Sequence, residues 1–123
     1  MKTRSEIRMP AEAGNILPLR LFFSGMATRA GLDVDDIEDV KAAVSEACVL
    51  LMAGAGGGDL RITVESGDGL RAECAIEEYE EEAFDTDAVG MSRMILEALA
   101  DEADFFDRDG KTERLSFKFR TRV

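Results

Sequence analysis

The chain has 123 residues, 46% apolar and 33% charged, with 15 Lys and Arg against 26 Asp and Glu and a formal net charge of −11. That composition is expected of one soluble globular domain spanning 1–123, and the acidic balance opposes nucleic acid and anionic membrane surfaces, whose phosphates need basic side chains. The absence of histidine excludes imidazole acid–base chemistry, Ser–His–Asp and Cys–His hydrolases, histidine-ligated zinc and histidine phosphorylation.

Ile7-Arg8-Met9 alternates briefly before Pro10, which predicts a short first strand. A helix is expected from about Gly14-Asn15, with Pro18 in its first turn and Leu19, Phe22, Phe23, Met26 and Ala30 as its apolar stripe; Gly31 ends it. Asp33 is placed to cap a second helix, with Asp35 and Asp36 in the favourable first turn. Ile37, Val40, Val44, Ala47 and Leu51 recur at helical spacing as its core face, and the glycine-rich run 53–58 follows. That run lacks the Gly-Lys-Ser/Thr ending of a phosphate loop, so it reads as a flexible connector.

Leu60, Ile62 and Val64 alternate with polar residues, as do Leu70, Ala72, Cys74 and Ile76. The two strands form a hairpin across Ser66-Gly67-Asp68-Gly69. The acidic segment Glu77–Asp87 reads as a solvated loop, able to meet a basic partner. Within it Asp85-Thr86-Asp87-Ala88-Val89-Gly90 partly imitates a calcium loop, but Val89 takes a ligand position and Leu96 stands where the bidentate Glu belongs. A third helix is predicted over Asp87–Asp101 with Met91, Met94, Ile95, Ala98 and Leu99 as its stripe. A last hairpin pairs Ala103–Phe106 with Leu115–Phe119 across Asp107-Arg108-Asp109-Gly110.

The order β-α-α-β-β-α-β-β predicts an α/β (α+β) two-layer sandwich, a mostly antiparallel sheet with helices on one face. Cys48 and Cys74 lie far apart among apolar neighbours, as reduced, buried thiols do. No apolar run near the N-terminus is long enough for a signal peptide or a membrane span, so a cytoplasmic location is expected.

This element order, with Ala43-Val44-Ser45-Glu46-Ala47-Cys48 on the second helix and Gly90-Met91-Ser92 before a helix and the Asp101-Glu102 strand start, resembles the anti-sigma-factor serine-protein kinases. These belong to the Bergerat-fold ATPases, with histidine kinases and gyrase. The resemblance runs from about residue 5 to 120 and implies the histidine-kinase-like ATPase fold. It implies that Glu46 matches the Glu that polarises the attacking hydroxyl, and that Arg20, within Leu17-Pro18-Leu19-Arg20, matches an Arg that contacts protein partners. It also implies a sigma factor or a STAS-type anti-anti-sigma protein as partner, and a homodimer formed through the sheets.

The departures from the family pattern carry as much weight. The position four residues after Glu46, where the family holds Mg²⁺ with an Asn, is Leu50, and an apolar side chain cannot ligate a hard cation. Where the family has an Asp-x-Gly-x-Gly turn that binds adenine, the chain reads Glu78-Tyr79-Glu80-Glu81-Glu82. Glu78 is a longer stand-in for the Asp, and carboxylates beside a triphosphate are repulsive. Gly90 and Ser92 are expected at a helix N-terminus, where they could hold a phosphate. The resulting expectation is a degenerate relative that binds proteins, with Glu46 a vestigial base, no metal ligand and no cofactor. Glu78, Gly90 and Ser92 would serve nucleotide, and Mg-ATP would be the cofactor, only in the alternative of an active kinase that phosphorylates a STAS-type partner.

Overall fold

The computed structural model describes residues 2–122. Strand β1 (Thr3–Pro10) leads through a 3-10 turn to α1 (Ile16–Arg29) and α2 (Val34–Met52). Then come β2 (Ala55–Gly56), β3 (Asp59–Gly67), β4 (Gly69–Glu77), β5 (Glu80–Glu81), α3 (Thr86–Leu99), β6 (Glu102–Arg108) and β7 (Lys111–Phe119). Five strands form one antiparallel sheet in the order β1-β3-β4-β7-β6, while β2 and β5 pair separately. The helices cover one face, giving the expected two-layer α+β sandwich.

Period-two alternation builds the sheet. Leu60, Ile62, Val64, Leu70, Ala72, Cys74, Ile76, Leu115, Phe117 and Phe119 are buried against the helices. Phe23 of α1 lies 6.0 Å from Phe117, which meets Phe119 edge-to-face at 5.9 Å, so aromatic contacts tie the helical layer to β7. The opposite face is charged. Glu65 stands across from Arg4 on one neighbouring strand and Arg71 on the other, and Arg61 donates to Glu6 at 2.9 Å. The Asp109-Gly110 turn has φ of 52° and 80° at its two central residues, the geometry a two-residue hairpin requires.

β1 extends well beyond Ile7–Met9. Its inward positions alternate through Thr3 and Ser5, whose hydroxyl side chains hide the pattern from a reading of apolar residues. The glycine-rich run is built structure rather than a loose connector. Ala55–Gly56 pairs with Glu80–Glu81, the Glu82 N–H donates to the Gly54 carbonyl at 3.0 Å, and Gly58 has φ +88°. A Cβ on Gly58 would fall 2.6 Å from the Glu77 carbonyl, so close backbone approach demands glycine there. The acidic segment is correspondingly part strand.

The largest departure is in α3. Its buried residues are Ser92 and Leu96, with Val89 and Leu99 packed against the core. The stripe expected to face inward is turned out, since Met91, Met94, Ile95 and Ala98 are all exposed.

Candidate functional site

α2 starts where its cap residue dictates. The Asp33 carboxylate accepts from the Asp36 N–H at 2.8 Å, and Asp35 and Asp36 complement the helix dipole. Along the inward face Val40, Ala43, Val44, Ala47, Cys48, Leu50 and Leu51 are all buried. Glu46 is half-buried, so solvent reaches it and the full burial cost of a charge does not arise. One turn on, Leu50 is 1% exposed and belongs to the core cluster. Full burial of such a side chain contributes about 1.5–3 kcal/mol. Position 50 therefore offers packing and no oxygen donor.

The remaining expected site residues are spread out. Glu78 occupies the turn between β4 and β5 with φ 56° and is exposed. Its carboxylate lies 3.4 Å from Arg8 of β1, which also reaches Asp59 at 3.2 Å. Gly90 and Ser92 are not at a helix N-terminus. α3 begins at Thr86, and the Asp85 carboxylate caps it by accepting from the N–H groups of Asp87 (2.9 Å) and Ala88 (3.3 Å). An internal carboxylate thus fills the place where the helix end could hold an anion. Ser92 is buried on the inward side of the next turn, and α3 packs directly on α2.

Arg20 is half-buried on α1. Beside it the apolar Leu17 and Leu21, one turn apart, are 63% and 65% exposed. The fold brings Arg20 together with this pair, and Glu46 with Leu50. Glu78 pairs with Arg8 of β1, whereas α3, which carries Gly90 and Ser92, packs on α2 and β6.

One cluster escaped sequence reasoning. Lys111 is buried at the start of β7, its ammonium donating to the carbonyls of Leu51 (2.8 Å) and Thr112 (3.0 Å). It stands 5.0 Å from the Tyr79 ring centre, and burial lowers its pKa. The Tyr79 hydroxyl donates to Glu113, which also accepts from Arg108 at 2.8 Å. Burial and that hydrogen bond raise the Tyr79 pKa. The signal was available in the strand period. If 115, 117 and 119 face inward, so do 111 and 113. Beside this cluster lies a small cleft of about 120 Å³, lined by Gly54, Tyr79, Phe84, Arg108 and Lys111 among others.

Both thiols are buried and free, and burial pushes Cys48 up to about 11 and Cys74 higher still. Neither has the lowered pKa of a reactive thiol. Among the described residues no helix is long and apolar enough to cross a membrane.

Fold and site together define a two-layer α+β domain whose second helix carries an accessible glutamate followed, one turn on, by a core leucine. No protein-family model matches the chain. Over 43 residues, 35% of the chain, it is 49% identical to the serine-protein kinase RsbW of Bacillus cereus (strain AH187) and 54% identical to that of Bacillus velezensis. A stretch of the same length is 49% identical to RsbW of Bacillus thuringiensis (strain Al Hakam). Each match covers 27% of the relative, so the chain matches about a quarter of the length of these curated proteins. The similarity is local, and it lies with the family that the motif order resembles.

Proposed function

We propose that the chain is an anti-sigma-factor-like regulator, a degenerate relative of the serine-protein kinases that acts by binding a protein and not by transferring phosphate. The observation that carries the reading is Leu50, buried in the core where the kinase pattern needs an oxygen ligand for Mg²⁺. Three further features support it: the local similarity to RsbW, the glutamates at 80–82, and the Asp85 carboxylate seated at the α3 N-terminus. The donor set does not suit Mg-ATP, because the side chain at position 50 is aliphatic.

The partner of this reading is a sigma factor or a STAS-type anti-anti-sigma protein, in a bacterial cytoplasmic switch of transcription. Arg20 with Leu17 and Leu21 forms the docking surface, a charge set between two exposed apolar side chains on one helix. A homodimer built through the sheets completes the assembly.

The alternative is an active kinase using Glu46, favoured by the kinase name of the relatives and by the accessibility of that carboxylate. Two measurements separate the readings. Purified chain is titrated calorimetrically, without nucleotide, into the sigma factors and STAS proteins of the same genome. Binding to one of them, weakened by Arg20→Glu and Leu21→Ser, supports the proposal. ATP-dependent phosphorylation of a STAS serine, lost in Glu46→Gln, establishes the alternative.

A further inference from the structure

α3 is apolar on two sides. One side, Val89, Ser92, Leu96 and Leu99, seats it on the domain. The other points at solvent, with Met91 65% exposed, Met94 71% and Ile95 39%, and with Ala98 exposed beside them. At about 100° per residue these four positions form one stripe roughly opposite Leu96, running along most of the helix. A solvated helix ordinarily fills that pole with charged residues. A continuous apolar stripe there marks an interaction surface, and unbranched methionine adapts to the shape of what covers it.

Charge selects the occupant. The exposed charged residues of α3 are Asp87 and Glu97, both acidic, and Glu80, Glu81, Glu82 and Asp85 stand exposed just ahead of the helix. Arg93, the one base of α3, is already engaged, donating to both oxygens of Asp107 at 2.6 and 2.8 Å and lying over the Phe105 ring. A second copy of the chain would bring the same negative charges against themselves. A helix with basic flanks would meet opposite charge along the rim.

We infer that the Met91–Met94–Ile95–Ala98 face of α3 is a docking surface for an amphipathic helix of another protein, one whose polar flanks carry Lys or Arg. It lies on a different helix from the surface on α1. It holds whether or not the partner of α1 is a sigma factor.

The test uses the full chain with ¹³C-methyl methionine and two synthetic helical peptides of about 18 residues, one of Leu and Lys, the other of Leu and Glu. The Leu/Lys peptide is expected to move the Met91 and Met94 methyl signals while those of Met9, Met26 and Met52 stay in place. Its affinity should fall about tenfold or more in the Met91→Ser/Met94→Ser variant, fall with added salt, and be unchanged in Leu17→Ser/Leu21→Ser. The Leu/Glu peptide should not bind. Failure of the Leu/Lys peptide to bind, equal affinity in the α3 variant, or loss of binding only in the α1 variant overturns the inference. So do Met91 and Met94 signals that move with concentration of the chain alone, because a second copy would then be the occupant.

Discussion

Lys111 donates its ammonium to the carbonyl of Leu51 at 2.8 Å, closing the last turn of α2 with a charge withdrawn from solvent. α2 ends at Met52, so the Leu51 carbonyl has no amide partner inside the helix, and a cation there also meets the negative end of the helix dipole. Lys111→Met keeps the length of the side chain and removes the donor. The expected loss is about 1–3 kcal/mol, the cost of a buried acceptor left unpaired, read from the midpoint of urea unfolding.

Leu50 is the second point of attack. Leu50→Asn places the amide of the kinase pattern into a site built for an aliphatic side chain. The variant should lose about 2–4 kcal/mol, combining the lost packing with an amide that finds no partner, and it should gain no Mg²⁺-dependent nucleotide binding. Urea unfolding and calorimetry on the same variant check both parts. A stable variant that binds Mg-ATP would show that the pocket is still open.

Asp101 links the end of α3 to the C-terminal residues. Its carboxylate accepts from the Arg120 backbone N–H at 2.8 Å and from Arg122 at 3.0 Å, and Arg122 also lies 3.7 Å from Asp36 near the start of α2. The backbone hydrogen bond, then Arg122, hold its pKa below the ordinary 3.8, against the opposing effect of burial. The unfolded chain therefore binds a proton more readily than the folded one. The contribution of Asp101 is present in full above the unfolded pKa and is lost as pH falls through the folded pKa. Asp101→Asn should cost about 1 kcal/mol at neutral pH. The gap from the natural chain should narrow as pH falls below 3.8 and through the lower folded pKa, measured as unfolding midpoints across pH.

Cys48 and Cys74 should resist a thiol reagent in the native protein and react together once it unfolds. Both are buried, and burial raises both pKa values. Labelling should follow the unfolding curve in urea. Rapid labelling of Cys48 in native buffer would mean that α2 opens locally.

Much of the fold was legible because strand and helix periods were strongly marked. The two hairpins and α2 declare themselves through alternation, Asp-Gly turns and the Asp33 cap. β1 was shortened because Thr3 and Ser5 fill its inward positions with hydroxyls. α3 misled because it carries two apolar stripes, and periodicity alone cannot say which of them the rest of the chain covers. Leu96 and Val89 won that competition, and the methionines were left outside. At the site, helical spacing puts Glu46 and Leu50 one turn apart, and only the resemblance to the kinases gives that pair its meaning. The Asp85 cap moves the start of α3 ahead of Gly90, so Gly90 and Ser92 lost the helix-end position expected of them. Lys111 went unnoticed because a charged residue after a turn ordinarily signals solvent, whereas here the strand period carries it beneath α2.

Binding of a protein partner without Mg-ATP is the central claim, and thermal unfolding with and without the nucleotide tests it most directly. Melting of the natural chain should be unchanged by Mg-ATP or Mg-ADP at millimolar concentration. A nucleotide present at 100 times its dissociation constant would add about 2.7 kcal/mol and raise the melting temperature by several degrees. A rise of that size would contradict the account.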